Sequence, residues 1–97
     1  MAGEFDRLNM LIGSDALSRL AQAHVVLFGV GGVGGFTAET LARSGVGHVT
    51  LIDGDRVAMS NINRQIVALH STLGEYKVEA ARRRMLDINP EMRVDAL

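Results

Sequence analysis

The chain has 97 residues, a formal net charge of −1 and an apolar content of 47%. It is therefore at most one small domain with enough apolar content for a packed core. Its charge gives no bulk attraction to nucleic acid or anionic lipid, and the absence of cysteine excludes disulfides and thiolate chemistry within these residues. No apolar run reaches the ~20 residues of a membrane span, and the N-terminus lacks the apolar core of a signal peptide. We expect a cytoplasmic protein without membrane contact.

The first elements predicted along the chain are a helical arm and a strand. Residues 1–13 form an arm that turns at Gly13, and Ser14 is a suitable N-cap for a short helix ending near Ala21. His24–Phe28 reads HVVLF, which is typical of a strand. Because this strand is almost uniformly apolar, we expect it to be central in a sheet and covered on both faces.

A helix and a second strand follow. The helix is predicted to begin at Gly32 or Val33 and to end at Ser44, where Gly45 can adopt the left-handed conformation that stops a helix. His48–Ile52 reads HVTLI and is the second predicted strand.

A loop, a long helix and a third strand complete the chain. In the loop, Asn61 is predicted to cap a brief helix. Thr72 and Glu75 match a capping box for a helix over residues 73–88, and residues 92–97 open the third strand. The apolar residues of the long helix fall on one stripe, made of Val78, Ala81, Met85 and Ile88.

The order β-α-β-α-β predicts an α/β fold, a Rossmann-like parallel sheet that forms one βαβαβ nucleotide-binding half with an N-terminal helical arm. In such a half the strand order is 3-2-1, so the first strand lies at the edge although its sequence is that of a buried strand. An exposed apolar edge promotes association. We therefore expect residues 1–97 to be the N-terminal part of a single nucleotide-binding domain that is truncated, or a partner to supply the missing sheet.

The strongest motif is the glycine-rich turn after the first strand. Gly29, Gly31 and Gly34 have the spacing G-x-G-x-x-G, and Gly32 adds a further position without a side chain. Such a turn between a strand and a helix lets a phosphate approach the backbone at the positive end of the helix. The motif predicts a nucleotide site, and the alternative is tight packing of the helix on the sheet without a ligand.

Asp53 is the predicted ribose-binding residue. It lies at the end of the second strand, at the distance from the glycine motif where an acidic side chain accepts hydrogen bonds from ribose hydroxyls. The alternative is a structural turn at Asp53-Gly54, and Asp55 is more readily explained by such a turn.

Polar residues beyond Asp53 indicate a triphosphate rather than a nicotinamide dinucleotide. Asn61, Arg64, Gln65 and Lys77 lie near the ends of strands or on flanking helices, where cations and amides can stabilise a leaving pyrophosphate. The alternatives are a surface salt bridge for Arg64 and a solvated side chain for Lys77. A cation in the first turn of a helix opposes the helix dipole, which favours a functional role for Lys77.

Three segments resemble a known family. They are DGDRVAMSNINRQ at residues 53–65, HSTLGEYK at 70–77 and LDINPE at 86–91. With them the chain resembles the ThiF/MoeB-type adenylating enzymes, relatives of the ubiquitin-activating enzymes, over about residues 5–97. Asn61–Gln65 and Ala68–Thr72 are most similar to the tRNA threonylcarbamoyladenosine dehydratases within that superfamily.

The resemblance implies roles for the predicted site residues. Gly29–Gly34 would hold the ATP phosphates and Asp53 the ribose. Asn61, Arg64 and Lys77 would contact the phosphates, and the two cations would act catalytically as pyrophosphate leaves. Arg7 would be a further catalytic residue, reaching the ATP site of the neighbouring subunit of a homodimer.

The implied reaction is attack of a carboxylate on the α-phosphorus of ATP. In the dehydratases that carboxylate belongs to threonylcarbamoyladenosine in tRNA, and ring closure then expels AMP. The alternatives are activation of a ubiquitin-like or sulfur-carrier protein, possible contact with a sulfur donor, and a nucleotide-binding module without catalysis. The family's aspartate ligand for Mg²⁺ follows a fourth strand, beyond residue 97. Arg82-Arg83-Arg84 could contact the tRNA or complement the C-terminal dipole of its helix.

Overall fold

The computed structural model describes residues 5–97. Its elements in chain order are helices α1 (Asp6–Ile12) and α2 (Ser14–Gln22), strand β1 (His24–Phe28), helix α3 (Val33–Arg43), strand β2 (His48–Ile52), 3₁₀ helices over Met59–Asn61 and His70–Thr72, helix α4 (Lys77–Ile88) and strand β3 (Arg93–Ala96). The three strands form a parallel sheet in the order β1-β2-β3, with His24 opposite His48 and His48 opposite Arg93. The predicted Rossmann-like α/β fold is confirmed.

Helices α3 and α4 cover one face of the sheet. They pack against each other and against the strands, and they enclose the apolar residues that point to that face. Both connections are β-α-β crossovers that advance in the same direction across the sheet. Because such crossovers are right-handed, both helices lie on the same side. The core residues under them include Val49, Leu51, Val94, Ala38, Ala42, Ala81 and Met85.

The expectation that β1 is covered on both faces is wrong for the described chain. Strand β1 is an edge strand whose residues alternate between exposed and half-buried, with Val26 46% and Phe28 76% exposed. Val25 and Leu27 pack on the core from the other face. The uniformly apolar sequence therefore means that both faces of β1 are apolar. Helices α3 and α4 cover only one of them.

Two predicted helix caps are wrong. Ser14 lies inside α2 after Gly13, and its hydroxyl donates to Asn9 Oδ1 at 3.2 Å instead of capping the helix. The capping box at Thr72 and Glu75 does not begin α4, which starts at Lys77. The Thr72 hydroxyl instead accepts from the Leu69 N–H at 2.9 Å and donates to a backbone carbonyl, so it closes a 3₁₀ turn.

The brief helix predicted after Asn61 is also absent, because Asn61 is the last residue of a 3₁₀ helix and turns follow it. Other predictions are confirmed. Gly45 has a φ of 84° just after α3, and the stripe on α4 is buried at Val78, Ala81 and Met85. None of the helices within residues 5–97 is long and apolar enough to cross a bilayer.

Candidate nucleotide-binding site

The turn from β1 to α3 has a conformation that only glycine adopts readily. Gly29 and Gly32 have φ angles of 86° and 54°, in the left-handed region. At Gly34 a Cβ atom would lie 2.1 Å from the Gly29 carbonyl oxygen, so the helix could not approach the strand as closely with any other residue. Close helix packing therefore explains Gly34.

Gly31 and Gly32 present unpaired backbone donors. In the described part of the chain, neither N–H donates to any protein acceptor. Helix α3 begins directly after them without a side-chain cap and without an acidic residue in its first turn. Unpaired N–H groups and the positive end of a helix together form a site for an anion.

Asp53 ties this turn to the end of β2. Its Oδ2 accepts from the Val30 N–H at 3.0 Å, and its Oδ1 accepts from the Asp55 N–H at 2.8 Å. Each carboxylate oxygen can accept a further hydrogen bond, so a ribose hydroxyl can still bind. Asp53 can therefore stabilise the turn that contains Asp55 and still bind a ribose hydroxyl.

Lys77 is the most informative cation. It is the first residue of α4 and is only 7% exposed, so most of its side chain is covered by the protein. Its backbone N–H donates to the Asp55 carbonyl at 3.0 Å, which places the helix start beside the Asp53 turn. Among residues 5–97 no carboxylate or hydrogen-bond acceptor contacts its ammonium group. The stem of Lys77 is buried while its ammonium nitrogen still reaches solvent, so an unpaired cation is available to an anionic ligand at the start of α4.

Asn61 and Arg64 lie in the loop before α4. Asn61 is 9% exposed, and its Oδ1 accepts from the Ala58 N–H at 2.9 Å, which leaves the amide NH₂ for a ligand. Arg64 is exposed and donates from Nη1 to the Ser60 carbonyl at 2.8 Å. No carboxylate pairs with it in the described structure, so the alternative of a surface salt bridge is not observed.

The structure brings these residues to one edge of the sheet through a chain of contacts. The glycine turn contacts Asp53 and Gln65, Gln65 is held by Asn61, and Lys77 is held by Asp55.

Arg7 lies away from that edge. It is exposed on α1, and its neighbours Phe5 and Asn9 line a cleft with Gly45 and Asn89, which precede β2 and β3. The structure therefore does not bring Arg7 to the glycine turn of its own chain, and its action on a neighbouring subunit stays a prediction.

The three consecutive arginines all have protein partners. Arg84 Nε and Arg83 Nη2 lie 2.5 Å from carboxylate oxygens of Glu39 and Glu75, and Arg82 Nε donates to the Val94 carbonyl at 3.0 Å. None of them lies in the last turn of α4, so the helix-dipole explanation is wrong. Contact with tRNA stays a prediction.

Comparison with known proteins identifies the family. The family model described as "ThiF family" matches residues 5–97. The chain belongs to the ThiF family. It is 50% identical over 97 residues to tRNA threonylcarbamoyladenosine dehydratase of Bacillus subtilis, covering 100% of this chain and 38% of the relative. The enzyme of the same name from Haemophilus influenzae is 45% identical over 93 residues, 96% of this chain and 36% of the relative.

A solved structure agrees with the fold and the family. The crystal structure of E. coli tRNA N6-threonylcarbamoyladenosine dehydratase in complex with ATP matches with a TM-score of 0.94 and 46% identity, over 97% of this chain and 39% of that one. A complex of the same enzyme with AMP matches equally well. This ThiF-family chain spans a little over a third of the length of these relatives.

Proposed function

We propose that the protein uses ATP to adenylate a carboxylate, and that the carboxylate belongs to threonylcarbamoyladenosine in tRNA. The observation that carries the adenylation is the combination of Lys77, which has no counter-charge among the described residues, with the unpaired N–H groups of Gly31 and Gly32. The Asp53–Asp55 turn contacts both the start of α4 and the glycine turn. The two bacterial dehydratases named above, at 45% and 50% identity, support the tRNA substrate. E. coli molybdopterin-synthase adenylyltransferase is a more distant relative, 39% identical over 80 residues.

In the proposed reaction a carboxylate oxygen forms a bond to the α-phosphorus of ATP, and the bond from that phosphorus to pyrophosphate breaks. Gly31 and Gly32 would bind phosphate oxygens through their N–H groups. Lys77, Arg64 and the Asn61 amide would stabilise the negative charge that develops on the leaving pyrophosphate. Ring closure within the threonylcarbamoyl group then releases AMP, so the modified base loses one water.

Asp53 would orient the nucleotide by accepting from ribose hydroxyls. No group of three or more His, Asp or Glu side chains within residues 5–97 could hold a metal ion. Mg²⁺ that binds with ATP needs only one or two protein carboxylates, and the aspartate that the resemblance implies for it follows residue 97.

The proposal includes a homodimer in which the partner subunit's Arg7 reaches the phosphates. Two features support it. Arg7 lies far from its own glycine turn, and α1 exposes Met10 and Leu11 by 85% and 82%, which is an apolar surface suited to a second copy.

The test measures AMP and pyrophosphate release by the purified protein with three substrates. They are tRNA carrying threonylcarbamoyladenosine, the same tRNA without the modification, and a sulfur-carrier protein with a Gly-Gly C-terminus. We expect release only with the modified tRNA, accompanied by loss of one water from its nucleoside. Pyrophosphate exchange that only the carrier protein stimulates would replace the tRNA by the carrier. Tight NADH binding that ATP does not displace would overturn the adenylation itself.

A further inference from the structure

Gln65 packs directly on the glycine turn. A Cβ atom at Gly31 would lie 2.7 Å from Oε1, 2.9 Å from Cδ and 3.1 Å from Nε2 of Gln65, so the carboxamide lies against the Gly31 Cα. The Gln65 backbone is fixed on both sides, since its N–H donates to Asn61 at 2.9 Å and its carbonyl accepts from Ala68 at 3.0 Å. Gly31 is therefore a glycine partly because a side chain already occupies the space beside it.

The Gln65 carboxamide is unsatisfied although it is held in place. Its Oε1 is enclosed and has no hydrogen-bond partner among the described residues, whereas its Nε2 is not enclosed and is free to donate to a ligand or to water. Native proteins seldom leave an enclosed carbonyl oxygen unpaired unless a ligand or a loop adjustment completes the arrangement. The unpaired N–H groups of Gly31 and Gly32 lie in the same turn, so donors and an acceptor stand together without partners.

The chemistry of these groups indicates what completes them. A phosphate oxygen accepts hydrogen bonds and donates none when ionised, so it can bind the turn N–H groups and Nε2–H but not Oε1. A carboxamide, which carries both a donor and an acceptor, suits this position, whereas a carboxylate would repel the phosphate.

We propose that Gln65 is a positioning residue of the nucleotide site, which holds the Gly31–Gly32 turn in its phosphate-binding conformation and donates Nε2–H to a phosphate oxygen of ATP. The inference rests on the proposed function, because it requires ATP at this turn. Gln65 is among the polar residues that the sequence pattern already assigns to the phosphates, and its contact with Gly31 adds the positioning role.

The test compares ATP dissociation constants of the purified protein, Gln65→Ala and Gln65→Glu by calorimetry. We expect Gln65→Ala to weaken ATP binding about tenfold, the loss of one hydrogen bond to a charged group. Gln65→Glu preserves the shape of the side chain but replaces the donor by a negative charge, so we expect a larger loss that shrinks at high salt. A residue that only fills space would be rescued by glutamate, and that result would overturn the proposal.

A double-mutant cycle with Gly31→Ala tests the contact itself. The added methyl meets the flexible end of Gln65, so the side chain moves away and the fold persists. Gly31→Ala and Gln65→Ala should then not be additive, and the double variant should bind ATP about as weakly as the weaker single variant. Gly54→Ala is the matched control, since a Cβ there contacts nothing within 4 Å.

Melting temperatures without nucleotide establish that each variant is folded. Equal ATP binding by the unmodified protein and by Gln65→Ala, or full additivity in the cycle, would overturn this proposal alone. Failure of the unmodified protein to bind ATP would overturn it together with the proposed function.

Discussion

Two sets of polar groups at opposite ends of the strands differ in their hydrogen bonding, although Asn89 Oδ1, just before β3, is enclosed and also lacks a partner among the described residues. At the edge where the strands begin, His24 and His48 stack with ring centroids 3.6 Å apart and an interplanar angle of 5°. His48 Nε2 lies 2.8 Å from Asp95 Oδ2, and His24 Nε2 lies 2.8 Å from the Thr50 hydroxyl. We call this set, with Arg93, the amino edge. The carboxyl edge consists of Gly31, Gly32, Gln65 and Lys77, whose donors find no partners in the described chain.

The amino edge contains groups whose hydrogen bonds stabilise the fold. The carboxyl edge contains groups that the proposed nucleotide would bind. Both edges contain side chains that titrate or carry charge, so residue type alone does not distinguish them. The amino edge closes its hydrogen bonds internally, and a ligand there would have to break them. The N–H groups and the ammonium group of the carboxyl edge have no acceptor within the described chain. The phosphates of the proposed nucleotide would supply acceptors for them.

The largest effect that would test this contrast is expected from Lys77→Met. Methionine keeps most of the side-chain volume and removes a charge that has no partner among residues 5–97. We expect ATP binding to weaken by about 3 kcal/mol, because a desolvated ion pair with phosphate is lost. The melting temperature without nucleotide should stay the same or rise. Calorimetric titration with ATP and thermal unfolding measure the two quantities.

Arg93→Met is the matched control for that experiment. Arg93 is a cation at the amino edge, and its Nε lies 3.3 Å from Asp95 Oδ1. Its replacement should leave the ATP dissociation constant unchanged. Equal weakening by both variants would mean that the carboxyl edge has no special role in binding the nucleotide.

An intermediate effect of the opposite kind is expected from His48→Ala. The variant loses the ring stack with His24 and the hydrogen bond to Asp95, which together are worth about 1–2 kcal/mol of unfolding free energy. Its ATP affinity should not change. Urea unfolding and ATP titration measure both, with exposed His70→Ala as the control. A loss of ATP binding in a folded His48→Ala variant would contradict the separation of the two edges.

Much of the fold could be predicted because its signals are local. HVVLF and HVTLI are strands over the residues predicted, and Gly45 ends α3 as its position indicates. Local signals also misled, since Thr72 and Glu75 match a capping box, but Thr72 ends a 3₁₀ helix and its hydroxyl bonds to the backbone of Val67 and Leu69. Nothing within a short window distinguishes these two uses of a threonine hydroxyl.

The candidate site was predictable in its residue types but not in its electrostatics. The glycine spacing and the position of Asp53 follow from the chain alone. That Lys77 is buried depends on how α4 packs, and that Gln65 lies on Gly31 depends on two segments distant in sequence. The same dependence on packing explains β1, whose apolar sequence cannot tell which of its faces is covered within this chain.

The smallest expected effect is the pH dependence of the amino edge. The hydrogen bond from the His48 side chain, followed by that from Arg93, holds the pKa of Asp95 below its ordinary value of 3.8. A carboxyl group whose pKa is lower in the folded state stabilises the fold above its unfolded pKa and loses that contribution as the pH falls through the folded value. Asp95→Asn should therefore be less stable than the unmodified protein at pH 6, and the difference should shrink below about pH 4. Urea midpoints from pH 6 to pH 3 measure this change, and ATP binding at pH 6 should be unaffected. A stability difference that stays constant over that range would show that Asp95 acts through its shape rather than its charge.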